Sequence, residues 1–188
     1  LSLAHERSYP LNAFNLARVQ ANLAAQHYQI ALDLALTALG EENEDTPHLA
    51  STLNALRFLA LYGLKDFSRA ELMLNSFLGH ANLRASDAVF LAKQLLLAGA
   101  TASARSVLDR ASVLDPLNQA ALGELVRLDA SLGNRDKLAE NLPKLLRLRK
   151  PSRAVLEETL LRLDRPADAP LRDQIQTALT RASATPAP

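Results

Sequence analysis

The chain has 188 residues, and its 21 Lys and Arg against 20 Asp and Glu leave a formal net charge of +1. That near-neutrality supplies no global field to draw in nucleic acid or an acidic membrane, and the lack of any Cys excludes disulfides and thiolate chemistry. Ala and Leu dominate beside five Phe, three Tyr, no Trp and six Gly, so helix formers far outnumber the residues that fill strands.

In chain order, apolar periodicity predicts ten helices, over about 10–25, 27–40, 46–63, 66–79, 85–98, 101–114, 117–132, 135–149, 152–164 and 169–183. Strand alternation is absent. Gly40 and the acidic run Glu41-Glu42-Asn43-Glu44-Asp45 form the longest polar loop. Asp45-Thr46-Pro47 then supplies a cap and a proline suited to a first helical turn. Ser86-Asp87 can start the fifth helix, and Asp115-Pro116 separates the sixth from the seventh. Gly99 and Gly133 fall just past apolar-periodic segments, where a left-handed residue is wanted. Pro143 lies inside the 135–149 helix and removes a backbone hydrogen bond there, so a kink or a new helix start near Asn141 is expected. Pro166 and Pro170 bound a short linker, and 182–188 reads as a disordered tail. No apolar run approaches the roughly 20 residues that span a bilayer. The chain opens Leu1-Ser2-Leu3 with no Met and no legible secretory leader, and so reads as a fragment or a processed form. Composition is compatible with cytoplasm or periplasm and does not choose between them.

Internal repetition organises these helices. Gly99 and Gly133 are 34 residues apart, and Ala70, Ala104 and Leu138 repeat at the same interval. Each of the last three is followed four residues later by Leu: Leu74, Leu108 and Leu142. Ala88-x2-Leu91-Ala92-x2-Leu95, then Ala104-x3-Leu108, Ala111 and Pro116, resembles the tetratricopeptide repeat (TPR) pattern, with 85–118 as the best copy. Ala31 and Ala38, after Tyr28, look like the second helix of an earlier copy. The resemblance spans 12–150. It implies an all-α fold of tandem antiparallel helix pairs stacked as a right-handed solenoid. Residues 1–11 are then an N-terminal lead-in, 151–183 a capping helix pair, and 184–188 the tail. Ala104 would admit the next helix at a tight crossing. Three departures stand out: Ala88 replaces a large aromatic, Asp129 a large residue of a first helix, and Leu138 a small one. Ala31 to Ala70 is 39 residues, which places five extra near the acidic loop. Gly63 to Ala70 is 7 residues against 5 from Gly99 to Ala104, which reads as a two-residue insertion in that turn.

One helix pair cannot bury its apolar face alone, so neighbouring pairs must complete the core. Helix 117–132 turns Leu122, Leu125 and Val126 toward that core. Helix 85–98 is apolar all round, through Val89, Phe90, Leu91, Leu95, Leu96 and Leu97. Helix 46–63 is similar, through Leu53, Leu56, Phe58, Leu59, Leu61 and Tyr62. Such helices are buried on every side or line a groove that awaits a partner.

The chemistry-bearing residues form no catalytic or metal pattern. His5, His27, His48 and His80 include no i, i+4 pair, and there is no phosphate loop or nucleophile elbow. Glu157 and Glu158 are adjacent on a helix and point in different directions. Lys144, Arg147, Arg149, Lys150 and Arg153 form a basic stretch, but without aromatic stacking residues it reads as a solvated helix end rather than a nucleic-acid site. Six residues before each inter-helix glycine stands a long cation: Arg57, Lys93 and Arg127. By the TPR resemblance that position faces a concave groove, although long basic side chains also snorkel from packed faces to water. The expectation is a scaffold, not an enzyme, with no cofactor and no metal. It would bind an acidic peptide or partner protein at Arg57, Lys93 and Arg127, with Val89 and Leu97 as apolar contacts. The alternative is a regulatory or positioning domain of a larger enzyme, such as a membrane-bound bacterial glycosyl transferase.

Overall fold

Leu and Ala recur at helical spacing from one end of the chain to the other, and helices follow. The computed structural model describes residues 11–40, 47–80, 83–148 and 150–184. Among the described residues there are ten α-helices, one 3-10 turn at Pro166–Asp168, and no strand. The helices are α1 (Leu11–Ala24), α2 (Tyr28–Gly40), α3 (Pro47–Gly63), α4 (Phe67–Gly79) and α5 (Ala85–Leu97). They continue as α6 (Thr101–Leu114), α7 (Gln119–Leu132), α8 (Arg135–Leu146), α9 (Arg153–Leu161) and α10 (Ala169–Ala184). The acidic run 41–45, Thr46 and residues 185–188 lie outside the described residues.

Local chemistry explains where the helices depart from their expected ends. α7 starts at Gln119 because the Asn118 side chain caps it, accepting the Ala121 N–H at 3.0 Å. α5 starts at Ala85, one residue ahead of Ser86. α8 runs unbroken through Pro143, and no new helix begins near Asn141. The proline ring lacks the N–H that would bond the Ala139 carbonyl, and α8 ends one turn later, at Leu146, three residues short of the expected end. The Arg147 N–H returns to the Pro143 carbonyl at 3.2 Å and closes that last turn.

The chain divides into two compact units, residues 1–103 and 104–188. In the first, α1 packs on α2, α2 on α3 and α3 on α4. The first helices of successive pairs also meet, α1 on α3 and α3 on α5. Val19, Phe58, Leu74, Phe77, Leu91 and Leu95 are buried there, each worth about 1.5–3 kcal/mol for a large side chain. In the second unit α7 packs on α8 and α9, and α10 on α8 and α9. Leu122, Val126, Leu138, Leu142, Leu156 and Ile175 share one core. The final helix pair is therefore part of the same hydrophobic cluster as α7 and α8.

One turn recurs four times. Gln26, Lys65, Gly99 and Gly133 have φ of 60°, 61°, 76° and 67°. Each sends its N–H to the carbonyl three residues back, and the next residue sends its own to the carbonyl five back. This is the left-handed helix ending that glycine favours. The four are 39, 34 and 34 residues apart. Five residues after each stand Ala31, Ala70, Ala104 and Leu138, all buried. This corrects the expected register of the second copy. Its turn residue is Lys65, not Gly63, so the turn carries no insertion. The five extra residues between the first and second copies remain.

Candidate functional site

Among the described residues of the first unit, α1, α3 and α5 and the turns after them enclose a cleft of about 690 Å³. α1 contributes Gln20, Leu23 and Ala24, α3 contributes Leu56, Leu59, Tyr62 and Gly63, and α5 contributes Phe90, Gln94 and Leu97. Tyr28, Lys65, Phe67 and Ala98 complete the lining. The size is that of a ligand-binding pocket, and so is the composition, largely apolar with a few polar groups.

The repeated turn positions these residues. Tyr28 and Phe67 each follow a left-handed residue by two and begin the second helix of their pair. Gly63 and Leu97 each precede one by two. A Cβ on Gly63 would lie 2.4 Å from the Tyr28 ring, so the ring rests on the bare glycine. Tyr62 stacks on Phe58 with ring centroids 6.0 Å apart and meets Phe67 edge-on at 5.2 Å, geometries worth about 0.5–1.5 kcal/mol beyond burial. Even so, Phe67 is 55% exposed and Leu97 82%. Lys65 is the only charged side chain among the described lining residues. Its neighbour Asp66 caps α4 by accepting the Arg69 N–H at 3.1 Å and also pairs with the Arg69 side chain. Those bonds hold the Asp66 carboxyl below the usual carboxylate range.

Of the five expected contact residues, only Leu97 lines the cleft. Val89 is 5% exposed and belongs to the core, so it offers a partner no surface. With Lys65 as the turn residue, six positions back is Leu59, and Arg57 falls out of register with Lys93 and Arg127. Arg57 is half-buried on α3, its Nη1 donating to Asn54 Oδ1 at 3.0 Å, and burial lowers its pKa. Lys93 is exposed on α5. Arg127, in the second unit, is held by Glu124 at 3.1 Å and by Glu158 of α9 at 2.7 Å. Three cations at one repeated position therefore reduce to two, and Arg127 is engaged by two carboxylates.

Several charged groups of the second unit are locally matched. Glu157 pairs with Arg153 at 2.7 Å while Glu158 turns to Arg127, so the adjacent carboxylates do diverge. Lys144 pairs with Glu140 at 2.9 Å, and the bonds from Lys144 and Lys137 hold the Glu140 carboxyl below its usual range. Arg149 lies outside the described residues. Asp129 is fully buried. It accepts from Arg105 of α6 and, at 3.0 Å, from Asn141 of α8. Burial alone would lower the Arg105 pKa, but Asp129, helped by Asp109, outweighs it and raises it. Asp168 is likewise buried and accepts from Arg135 at 2.8 Å. These clamps tie helices together inside the second unit.

No helix among the described residues is long and apolar enough to cross a membrane, and none of their His, Asp and Glu side chains group to hold a metal ion. His5 and the His48 side chain lie outside the described residues. Comparison of the chain with protein-family models, curated proteins and solved structures finds no match.

Proposed function

We propose that the chain is a protein-interaction scaffold of TPR-like construction, its helix pairs stacked as in a right-handed solenoid, and that the cleft of the first unit receives an extended segment of a partner protein. The observation that carries this is the apolar cleft along three first helices, where Leu97 of α5 and Phe67 at the start of α4 stand exposed beside Tyr62 and Phe90. Apolar surface concentrated in a concave site marks a binding face. Gln20 and Gln94 add amide donors and acceptors suited to a peptide main chain.

A photo-crosslinking amino acid placed at Leu97 in the intact gene product, and separately at Leu132, tests this in the source organism. Leu132 is also exposed but belongs to α7. Adducts with another polypeptide are expected from position 97 and not from position 132. Equal labelling from both, or none from position 97, overturns the reading.

A further inference from the structure

The two junctions of the first unit differ in how they cover their aromatic ring. At the first junction, the Tyr28 ring fills the space over Gly63. At the second junction the corresponding residues are Phe67 and Leu97, at the same offsets from Lys65 and Gly99. Leu97 has a full side chain where Gly63 has none, and both Phe67 and Leu97 remain exposed at the cleft. At the first junction the ring is covered by its packing on the bare glycine, whereas at the second the ring and the leucine side chain are both left exposed.

Charge narrows the occupant further. Lys65 sits at the cleft with its backbone in the left-handed region, two residues from Phe67. A non-glycine residue is strained there, and Gly99 and Gly133 avoid that strain at the corresponding turns. Asp66 is engaged by Arg69. The cleft therefore offers aromatic and aliphatic surface next to a cation.

We propose that the partner segment carries an aromatic side chain that seats against Phe67 and Leu97, with a carboxylate one or two residues away that pairs with Lys65. This rests on the peptide-binding reading above and names the chemistry of its ligand. The carboxylate sets register and the ring supplies affinity, as is usual where charge rims an apolar anchor.

The test is a phage-displayed peptide library selected on the full chain and counter-selected on Leu97→Arg. Synthetic copies of the selected peptides, and analogues with Asp or Glu changed to Asn or Gln, are then titrated by fluorescence polarisation. Peptides pairing an aromatic residue with a nearby acid are expected. Lys65→Met should weaken the acidic peptide about fivefold or more and leave its amide analogue nearly unchanged. Circular dichroism and melting of both variants establish that they fold. Should Lys65→Met itself fail to fold, the acidic peptide and its amide analogue are compared on the parent chain, where equal affinity refutes the pairing. Leu97-dependent peptides without the aromatic–acid pair overturn this inference and leave the scaffold reading standing, as does an equal effect of Lys65→Met on both analogues. If no selected peptide depends on Leu97, the scaffold reading falls with it.

Discussion

The same face of a first helix meets two fates in the two units. In the first unit, Leu59 of α3 and Phe90 of α5 line the cleft. In the second, the corresponding positions of α7 are Arg127 and Glu124, which pair with each other, and Arg127 also holds Glu158 of α9. One position before Glu124 stands Gly123, whose bare Cα faces Val155 of α9; a Cβ there would come within 3.3 Å of that side chain. A small residue and an ion pair stand where α9 lies on α7, whereas Leu56 and Leu59 of α3 and Phe90 of α5 line a cleft. Side-chain size and charge on this face thus differ between the repeat copy that carries α9 and the copies that line the cleft.

The largest expected effect lies in the buried polar hub of the second unit. Leu61 and Leu95 occupy in the first unit the position that Asp129 occupies in the second. Asp129→Ala leaves Arg105 and Asn141 without their shared partner and should cost about 3 kcal/mol. Urea unfolding read by circular dichroism checks this, and an unchanged midpoint would show that the clamp is not structural. Gly123→Leu comes next. It should overpack the α7–α9 contact, cost about 1–3 kcal/mol and speed proteolysis within α9 and α10, while leaving the first unit's cleft intact. Equal protease resistance of the variant and the parent would mean that α9 does not need the glycine. The smallest effects separate the turns. Lys65→Gly should stabilise by about 0.5–1 kcal/mol, and Gly133→Ala should destabilise by about 1 kcal/mol. Melting temperatures moving in opposite directions would support the equivalence of the two turns, and movement in the same direction would break it.

The helices were legible in the sequence because apolar spacing and capping residues act locally. Gly99 and Gly133 announced their turns for the same reason. Gln26 and Lys65 did not, since nothing in a glutamine or lysine signals a left-handed backbone. Gly63, two residues away, drew attention instead, although its role is to make room for Tyr28. Counted from Lys65, Arg57 stands eight residues before the turn, whereas Lys93 and Arg127 stand six before theirs. The apolar periphery of 85–98 did foreshadow a groove, but which of its residues would be exposed depended on neighbours. Val89 went to the core and Leu97 to the cleft. Asp129 looked like a mere departure from the repeat, because its partners, Arg105 and Asn141, lie 24 and 12 residues away.

The recurring turn also has a kinetic consequence. Each one fastens the end of one helix to the start of the next through hydrogen bonds spanning at most five residues, and the contacts that follow, α1 with α2, α3 with α4 and α7 with α8, join neighbours in the chain. Closing such short loops costs little chain entropy, so helix hairpins are assembled early and distant segments need not find one another first. In a fold wired this way the hairpin, rather than the whole chain, is the unit that can be gained, lost or exchanged.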